Sequence, residues 1–320
     1  METPNYSSWS ELPMDILRSL LERLSFADFQ RAKMVCSNWY FCSKQPLLLK
    51  SGPPWLILFS EDGCMLYSPD EDRVYKRKRD FSGIRFLANS EDLRGVLRVD
   101  EKEEYIVVWC FDTASYNSTY VGFCKNGEIH YREIPTHGKF QSISDMVLWG
   151  DRLYMFINHS YPRIVDLSGK DCLKDVVPRN LPILLALERG LTHFTKSIAV
   201  TTSGEVLLVH NKIYKLNKHR IFTLYKMDPT PDDTFNLVKL VKVDSLGDDA
   251  LFLDSGITVP ANKTLGIEPN SIYFTRDERV ISKDPRYLDI CVYNLATKTL
   301  KRFPRLSELH INDALWFLPS

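Results

Sequence analysis

The residues of this sequence that come nearest to a phosphate-binding loop are Gly122 and Gly127, five positions apart. A phosphate loop of this kind needs a lysine directly after its second glycine, because the ammonium group neutralises phosphate charge. Glu128 stands there instead, and its carboxylate repels phosphate. Asn126 and Gly127 lie between two apolar runs and indicate a hairpin turn, since both residue types accept positive φ. The sequence therefore predicts a turn here and no nucleotide site.

The other candidates for catalysis lack the spacing that their chemistry requires. The seven histidines never approach zinc-ligand spacing, and the sequence contains no H-E-x-x-H or G-x-S-x-G motif. Adjacent carboxylates occur at Asp232-Asp233 and at Asp248-Asp249, in segments rich in turn residues. A carboxylate pair flanking a glycosidic bond is one interpretation, and solvated loop acids are the favoured one. We therefore predict a non-catalytic protein with no cofactor or metal site.

Charge and composition exclude several classes of partner. The chain has 41 basic and 41 acidic residues, so it lacks the basic footprint of a general nucleic-acid binder. No signal-peptide pattern precedes the first apolar run, and no run approaches the length of a membrane span. Seven cysteines without a C-x-x-C pair indicate reduced intracellular thiols. We expect a cytoplasmic and/or nuclear protein that binds no nucleic acid and no membrane.

One basic cluster has two interpretations that stay open. Residues 76–79 read Lys-Arg-Lys-Arg. Such a run is compatible with a short nuclear-import patch. It is equally compatible with the solvated end of the strand that begins at Arg73.

Three short helical patterns lie at the start of the chain, and these helices would position the apolar side chains described below. Pro13 marks the start of the first helix, where its missing N–H costs nothing. Ser25, with Asp28 three residues later, is a capping candidate for a second helix from Phe26. Trp39 to Phe41 close a third turn. The apolar positions of the first helix, spaced three and four apart on one face, are Ile16, Leu17, Leu20, Leu21 and Leu24. The inward positions predicted for the second are Phe29, Ala32, Val35 and Cys36.

So few residues cannot bury that much apolar surface alone. Below about 40 residues a chain usually needs a metal, disulfides or a partner to stay folded. No cysteine pair or Cys/His quartet is available here, so a partner is the natural expectation. The alternative is an ordinary N-terminal helical hairpin packed on its own domain. The pattern resembles the F-box, and the residues that carry the match are Leu12-Pro13, Asp15, Ile16-Leu17, Leu20, Leu24, Asp28, Arg31, Val35-Cys36 and Trp39.

In the F-box family this motif docks the Skp-type adaptor of cullin-RING ubiquitin ligases. Spacing alone leaves open which of the matching residues face the adaptor and which pack within the motif. The adaptor-binding residues that the resemblance implies are Leu12, Pro13, Ile16, Leu17, Leu20, Leu21, Leu24, Val35, Cys36 and Trp39.

Beyond the helices the sequence reads as β-structure. Prolines and a glycine break any helix within residues 46–54, and short runs of Val, Ile, Tyr, Phe and Trp then alternate with turn residues. We predict an F-box at 7–47, a linker at 48–54 and a β-domain at 55–320. A kelch-like propeller of five or six blades, at about 50 residues per blade, fits this pattern, and so does an irregular pair of β-sandwiches. Predicted hairpin turns lie at Ser68–Asp72, Asn126-Gly127, Pro229–Asp233 and Ala296–Lys298.

Four stretches resemble the C-terminal domain of a large plant family of F-box proteins, a kelch-like domain of unknown function (DUF295 or KIB type). These stretches are residues 54–69, 245–253, 270–275 and 316–319. The family carries a Trp-containing hairpin after residues 86–90, and this chain lacks it, so about one blade is absent. The fold class implied is an α+β multi-domain chain. A small all-α F-box precedes an all-β, propeller-like domain short of one blade.

The resemblance implies a substrate-receptor subunit of an SCF (cullin-RING) E3 ubiquitin ligase. Its partners would be a Skp-type adaptor, through it a cullin and a RING subunit, and an unknown target protein held by the β-domain for ubiquitination and degradation. Two alternatives stay open. One is a non-degradative or decoy F-box scaffold with an incomplete β-domain, and the other is a propeller that binds a small molecule.

Overall fold

The structure is a computed structural model of the 320-residue chain. It describes residues 12–24, 26–44, 53–60, 63–76, 94–99, 104–113, 118–135, 143–157, 161–169, 174–175, 191–214, 220–232, 237–276, 288–311 and 313–318. Within these ranges, no helix is both long and apolar enough to cross a membrane.

Three short helices come first. Pro13 is the N-cap of the first, and its carbonyl accepts a hydrogen bond from the Leu17 N–H at 2.9 Å. The predicted start of this helix is thereby confirmed. The second helix begins at Phe26, as predicted, while its candidate cap Ser25 lies outside the described residues. The helices are α1 (Met14–Arg23), α2 (Phe26–Ala32) and α3 (Ser37–Ser43).

A small apolar core holds the three helices together. Its fully buried members are Leu17, Leu21, Phe29, Ala32 and Cys42, with Leu24 and Trp39 packed at its border. The predicted inward position of Val35 is wrong, because this side chain is 55% exposed. The α-helical spacing ends at Ala32, and the Val35 N–H closes a three-residue turn onto the Ala32 carbonyl at 3.1 Å. Val35 therefore leaves the face that α2 buries.

Within the described ranges, the later strands pair into sheets, and short 3₁₀ segments lie at Lys263–Leu265 and Pro304–Glu308. The strands are β1 (Trp55–Ser60), β2 (Gly63–Ser68), β3 (Arg73–Lys76), β4 (Arg94–Val99), β5 (Tyr105–Thr113), β6 (Ser118–Lys125), β7 (Arg132–Glu133), β8 (Ile143–Trp149), β9 (Arg152–Ile157), β10 (Tyr161–Asp166), β11 (Lys174–Asp175), β12 (Leu191–Val200), β13 (Val206–Tyr214), β14 (Arg220–Asp232), β15 (Leu237–Val243), β16 (Asp249–Phe252), β17 (Ile257–Pro260), β18 (Ser271–Arg276), β19 (Leu288–Asn294), β20 (Thr299–Arg302) and β21 (Asp313–Phe317).

The strands form units that follow one another along the chain, as the blades of a propeller do. The first sheet has the order β21-β1-β2-β3, the second β4-β5-β6-β7 and the third β11-β10-β9-β8. A fourth unit (β12–β15) and a fifth unit (β16–β20) are joined into one nine-stranded sheet by a single parallel pairing, Val200 with Ile257. In the first sheet β1 pairs with β21, so backbone hydrogen bonds connect the start of the β-structure to its end.

Neighbouring units pack face to face through four apolar clusters. Side chains of β5 and β6 meet those of β8 and β9, which joins the second sheet to the third. Further clusters join the third sheet to the fourth unit and the fourth unit to the fifth. Another joins the fifth unit to the first sheet around Trp316. Among the described residues, no apolar cluster joins the first sheet to the second. The all-β domain is therefore propeller-like, with one junction unlike the others.

The predicted hairpins are confirmed except for one. The turn before β3 and the turn before β20 lie where expected, with positive φ at Asp72 and Lys298. β14 and β15 also form a hairpin, and β14 continues through the prolines that we placed in the turn. The turn at Asn126-Gly127 is present, with positive φ at Gly127 and the Glu128 N–H donating to the Lys125 carbonyl at 3.1 Å. It is not a tight hairpin, however, because the returning strand is β7, where Glu133 pairs with Gly122.

Candidate partner-binding surface on the helices

The apolar stripe of the first helix is wider than the part that the helical core buries. Leu17 and Leu21 point into the helical core and are 1% and 0% exposed. Ile16 and Leu20, also four residues apart, are 48% and 37% exposed on another part of the helix surface. Met14 is exposed too. Burying such side chains against a partner is favourable by about 1.5–3 kcal/mol each when the burial is complete. This exposed row is a candidate docking surface.

The end of α2 and helix α3 expose more large apolar side chains. They are Met34, Val35, Tyr40 and Phe41. The rings of Tyr40 and Phe41 meet edge to face, with centroids 6.0 Å apart, and Lys44 lies over the Tyr40 ring. Large exposed apolar side chains that adjoin one another, as these two rings do, are typical of interaction sites. The helical unit therefore offers apolar side chains from each of its helices.

The structure sorts the ten predicted adaptor-binding residues into three groups. The exposed ones are Pro13, Ile16, Leu20 and Val35. The half-buried ones are Leu12, Leu24, Cys36 and Trp39. Leu17 and Leu21 are buried, so any contribution that they make to partner binding is indirect, through the shape of the helices. Leu17 and Leu21 are four residues apart, and so are Ile16 and Leu20. Sequence periodicity therefore could not show which pair is buried.

Sequence reasoning missed four exposed apolar residues of the helical unit. They are Met14, Met34, Tyr40 and Phe41. A signal for the first two was present, since Met14 precedes the outward Ile16 and Met34 adjoins Val35 where the helical pattern stops. The two aromatic residues sit in α3, which is too short for periodicity to show which residues face outward.

The charged side chains of the helical unit include one ion pair on α2. Asp28 and Arg31 form an ion pair at 2.8 Å, three residues apart on α2, and about half of each side chain is exposed. Exposed pairs of this kind contribute little to stability. Burial raises the pKa of the Cys42 thiol, and burial followed by the charge of Lys44 lowers the pKa of Lys33. Cys42 therefore stays a neutral thiol in the helical core at neutral pH.

Arg31 also connects the helical unit to the first sheet. Its guanidinium carbon lies 5.8 Å from the ring centroid of Tyr75 in β3, and Arg73 lies 5.2 Å from the same centroid. The Tyr75 hydroxyl donates to the Glu71 carboxylate. A cation over an aromatic ring is favourable by about 0.5–1 kcal/mol at exposed sites. The contact orients α2 toward β3.

The β-domain residues that resembled catalytic groups have structural partners. The Asp249 carboxylate accepts hydrogen bonds from the hydroxyls of Thr202 and Thr258, at 3.2 and 3.1 Å. Gly122 lies beneath the Trp109 ring, where an added Cβ would come within 2.8 Å of the indole. Within the described ranges, no three His, Cys, Asp or Glu side chains cluster as metal ligands would.

Comparison with known proteins assigns both parts of the chain. An F-box domain profile matches residues 9–51, and a KIB1-4 beta-propeller profile matches residues 32–294. The fold is thus that of an F-box protein with a propeller-like domain. The chain belongs to the KIB1-4 beta-propeller family of F-box proteins. Proteins of this class are in general non-catalytic, adaptor-binding subunits.

The relatives are plant proteins. F-box protein At5g25290 of Arabidopsis thaliana is 46% identical over 387 aligned positions, and the alignment covers 98% of this chain and 97% of the length of that protein. F-box protein At2g14290 of the same plant is 42% identical over 372 positions, covering 100% and 99%. Among solved structures, TolB from Acinetobacter baumannii covers 86% of this chain and 58% of its own at 10% identity, with a TM-score of 0.29.

The alignment lengths show that relatives carry extra residues. The alignment with At2g14290 has 372 positions and this chain has 320 residues, which leaves about 52 positions that the chain does not fill. Kelch-type blades take about 50 residues each. The unfilled positions are about as many as one such blade takes.

Proposed function

We propose that this protein is a substrate-receptor subunit of an SCF (cullin-RING) E3 ubiquitin ligase. The helical unit binds a Skp-type adaptor, which joins it to a cullin and a RING subunit. The β-domain holds a target protein for ubiquitination and degradation. The chain performs no chemistry, because its role is to raise the local concentration of target at the ubiquitin donor. The proposed assembly works in the cytoplasm, the nucleus or both.

The observation that carries the proposal is that the helical core covers only part of the apolar stripe of α1. Ile16 and Leu20 are exposed although Leu17 and Leu21 already supply the helical core. A helix that only supported its own domain would bury its apolar stripe and expose its polar residues. The outward row lies inside the segment that matches the F-box profile, residues 9–51. Binding of Ile16 and Leu20 in an apolar groove of the adaptor is the simplest explanation for these exposed apolar residues.

The proposal is tested by co-purification from plant cells. The tagged full-length chain is compared with an Ile16→Asp, Leu20→Asp double variant, and the adaptor, cullin and RING subunits are detected in the eluate. We expect the natural chain to retain all three and the variant to lose all three. A folded natural chain that retains none of them would overturn the proposal.

The lack of an apolar cluster between the first and second sheets, among the residues that the structure describes, favours one further candidate function. A chain with an intact helical surface and an incomplete β-domain could occupy the adaptor without presenting a target, and so act as a decoy or a non-degradative scaffold. The discriminating measurement is ubiquitination in a reconstituted ligase with proteins that co-purify on the β-domain. Adaptor and cullin binding without any modified co-purifying protein would support the decoy.

A further inference from the structure

The helical unit and the β-domain meet at the ring of Tyr75 in β3. The guanidinium carbon of Arg31 in α2 lies 5.8 Å from the centroid of this ring, and that of Arg73 lies 5.2 Å from it. Within the first sheet, the Tyr75 ring stacks on Trp55 of β1, with the centroids 5.3 Å apart and 28° between the planes. Trp55 is 6% exposed, so the ring that receives Arg31 rests on a buried side chain.

Acidic side chains on both sides of this junction orient the cation and the ring. On α2, Asp28 accepts a hydrogen bond from Arg31 at 2.8 Å. On the turn between β2 and β3, Glu71 accepts a hydrogen bond from the Tyr75 hydroxyl. The hydrogen bond with Asp28 raises the pKa of Arg31 most, and the charge of Glu71 raises it from across the junction. Asp28, Arg31, Tyr75 and Glu71 therefore form one chain of contacts from the helices to the β-domain.

The turn that carries Glu71 is fixed to the rest of the β-domain. Tyr67 is 1% exposed, and its hydroxyl donates to the Asp72 carboxylate at 2.8 Å. Arg305, more than 200 residues further along the chain, donates to the Asp72 carbonyl at 2.5 Å. A turn held on both sides presents Glu71 in one orientation. The contact with α2 therefore has a defined direction.

The contact at Tyr75 differs in kind from the contacts between the sheets. Among the described residues, the apolar cluster of the helices contains no strand residue, and the clusters of the β-domain contain no helix residue. Apolar burial is non-directional, whereas a cation interacts with a ring from over its face, within about 6 Å of the centroid. The contact therefore restricts the angle between α2 and the first sheet.

We propose that Arg31 and Tyr75 are positioning residues that set the direction in which the β-domain is held relative to the adaptor. The inference rests on the proposed function. It gives the two charged residues of the F-box match on α2, Asp28 and Arg31, a role toward the β-domain instead of toward the adaptor.

Direction matters because ubiquitin transfer requires one amine to reach one carbon atom. The Nζ atom of a target lysine attacks the thioester carbonyl carbon of the ubiquitin-loaded donor enzyme. An amide bond forms, the thioester bond breaks, and the cysteine sulfur leaves and takes up the proton that the amine loses. A receptor with a preferred angle between its two parts brings particular lysines to that carbon more often than others.

The strength of the contact sets the size of the expected effect. Arg31 is exposed, and a cation over an aromatic ring at an exposed site shifts an equilibrium about 2- to 5-fold. Loss of the contact should therefore broaden the range of angles between the helices and the β-domain. Folding and adaptor binding should be unaffected.

The first test measures the distance between the two parts in the free full-length chain. Spin labels at Met34 and Val241, both exposed, report this distance by pulsed electron paramagnetic resonance. They are attached through an introduced ketone-bearing amino acid, because the chain contains seven cysteines. The disruptive variants are Arg31→Gln and Tyr75→Leu, and the conservative variants Arg31→Lys and Tyr75→Phe keep the cation and the ring. Arg23→Gln, at an exposed position of α1, is the matched control.

We expect each disruptive variant to raise the fraction of molecules outside the natural distance peak about 2- to 5-fold. The double variant should raise it no further, because both changes remove the same contact. The conservative variants and the control should keep the natural distribution. Since Arg31 is exposed, Arg31→Gln should also keep the natural melting temperature. A distance distribution that neither disruptive variant broadens overturns the inference.

The second test separates this inference from the proposed function. In a ligase reconstituted with a purified Skp-type adaptor, Arg31→Gln should bind the adaptor as the natural chain does. Ubiquitin on the lysines of its own β-domain, mapped by mass spectrometry, should spread to lysines that the natural chain leaves unmodified. An unchanged lysine pattern overturns the positioning role and leaves the proposed function intact. An adaptor affinity about 10-fold weaker, with an unchanged distance distribution, places Arg31 on the adaptor-binding surface and overturns the inference alone. A natural chain that binds no adaptor overturns the proposed function, and the positioning role with it.

Discussion

The guanidinium of Arg220 in β14 donates to the carboxylate of Asp289 in β19 at 2.9 Å, across 69 residues of chain. Arg220 is only 5% exposed, and its other branch donates to the side-chain oxygen of Asn211 at 3.0 Å. Asp289 also accepts hydrogen bonds from Cys291 at 2.9 Å and Arg302 at 3.3 Å. This network ties the fourth unit to the fifth in addition to their shared apolar cluster.

Removing the acid of this network should destabilise the β-domain. Asp289→Ala leaves the buried Arg220 guanidinium without its counter-charge, and breaking a buried pair costs about 3–5 kcal/mol. The measurement is the urea midpoint of unfolding at pH 7. Asp244→Ala is the control, because Asp244 pairs with Lys242 on an exposed strand end and its loss should leave the midpoint unchanged. Equal midpoints for all three proteins would contradict the role of Asp289.

The same carboxylate should shape acid unfolding. Burial opposes ionisation of Asp289, but the Cys291 hydrogen bond and the charges of Arg220 and Arg302 outweigh it, so its pKa lies below the usual value. A depressed carboxyl pKa stabilises the fold fully above the unfolded pKa of about 3.9 and loses that stabilisation as pH falls through the folded value. In Asp289→Asn the fall in stability below about pH 4 should be smaller. If the stability of Asp289→Asn fell as steeply in acid as that of the natural chain, this prediction would be contradicted.

A second acid-sensitive group is His210 in β13. It is 2% exposed between the rings of Phe194 and Tyr225, and no described residue hydrogen-bonds to its Nε2 atom. Burial, then the charges of Lys196 and Lys212, lowers its pKa to about 4. The unfolded chain binds the proton more readily, so stability rises from about pH 4 to about pH 6.5.

Replacing this histidine should flatten that pH dependence. His210→Phe keeps the ring contacts and removes both the titrating group and the unsatisfied nitrogen. At pH 5 we expect the free energy of unfolding of the variant to be at least that of the natural chain, with an increase on the order of 1–2 kcal/mol. His310→Phe, at an exposed position, is the control. Thermal unfolding between about pH 4 and 6.5, the window of this titration, measures the effect. If the stability of the His210 variant rose with pH as steeply as that of the natural chain, the prediction would be contradicted.

The fold follows from local patterns wherever those patterns are complete. Pro13 starts a helix because its fixed φ and missing N–H suit that position, and both can be read from one residue. The turn before β20 was likewise readable from Ala296 to Lys298. The outward direction of the Val35 side chain could not be predicted from the sequence, because it depends on the residue at which α2 ends. The Arg220–Asp289 pair was also out of reach, since no sequence pattern relates residues 69 positions apart.

The packing of Trp109 against the second sheet depends on Gly122. Gly122→Ala places a methyl group within 2.8 Å of the Trp109 ring, which has to move off the sheet. Overpacking of this kind costs about 1–3 kcal/mol. Gly95→Ala on the same face is the milder control, because its Cβ would meet only the Val108 carbonyl, at 3.4 Å. Near-ultraviolet circular dichroism and urea unfolding report the change, and unaltered spectra for Gly122→Ala would contradict the packing.

The account depends most on the outward face of α1, so the deciding measurement is the affinity of the full-length chain for a purified Skp-type adaptor. Ile16→Asp with Leu20→Asp should weaken binding at least about 100-fold, since two apolar side chains are worth about 3 kcal/mol at the interface. The melting temperature should stay unchanged, because both residues are exposed. Val241→Asp, far along the chain in β15, should bind as the natural chain does. Equal affinity of the double variant and the natural chain would contradict the adaptor-binding surface.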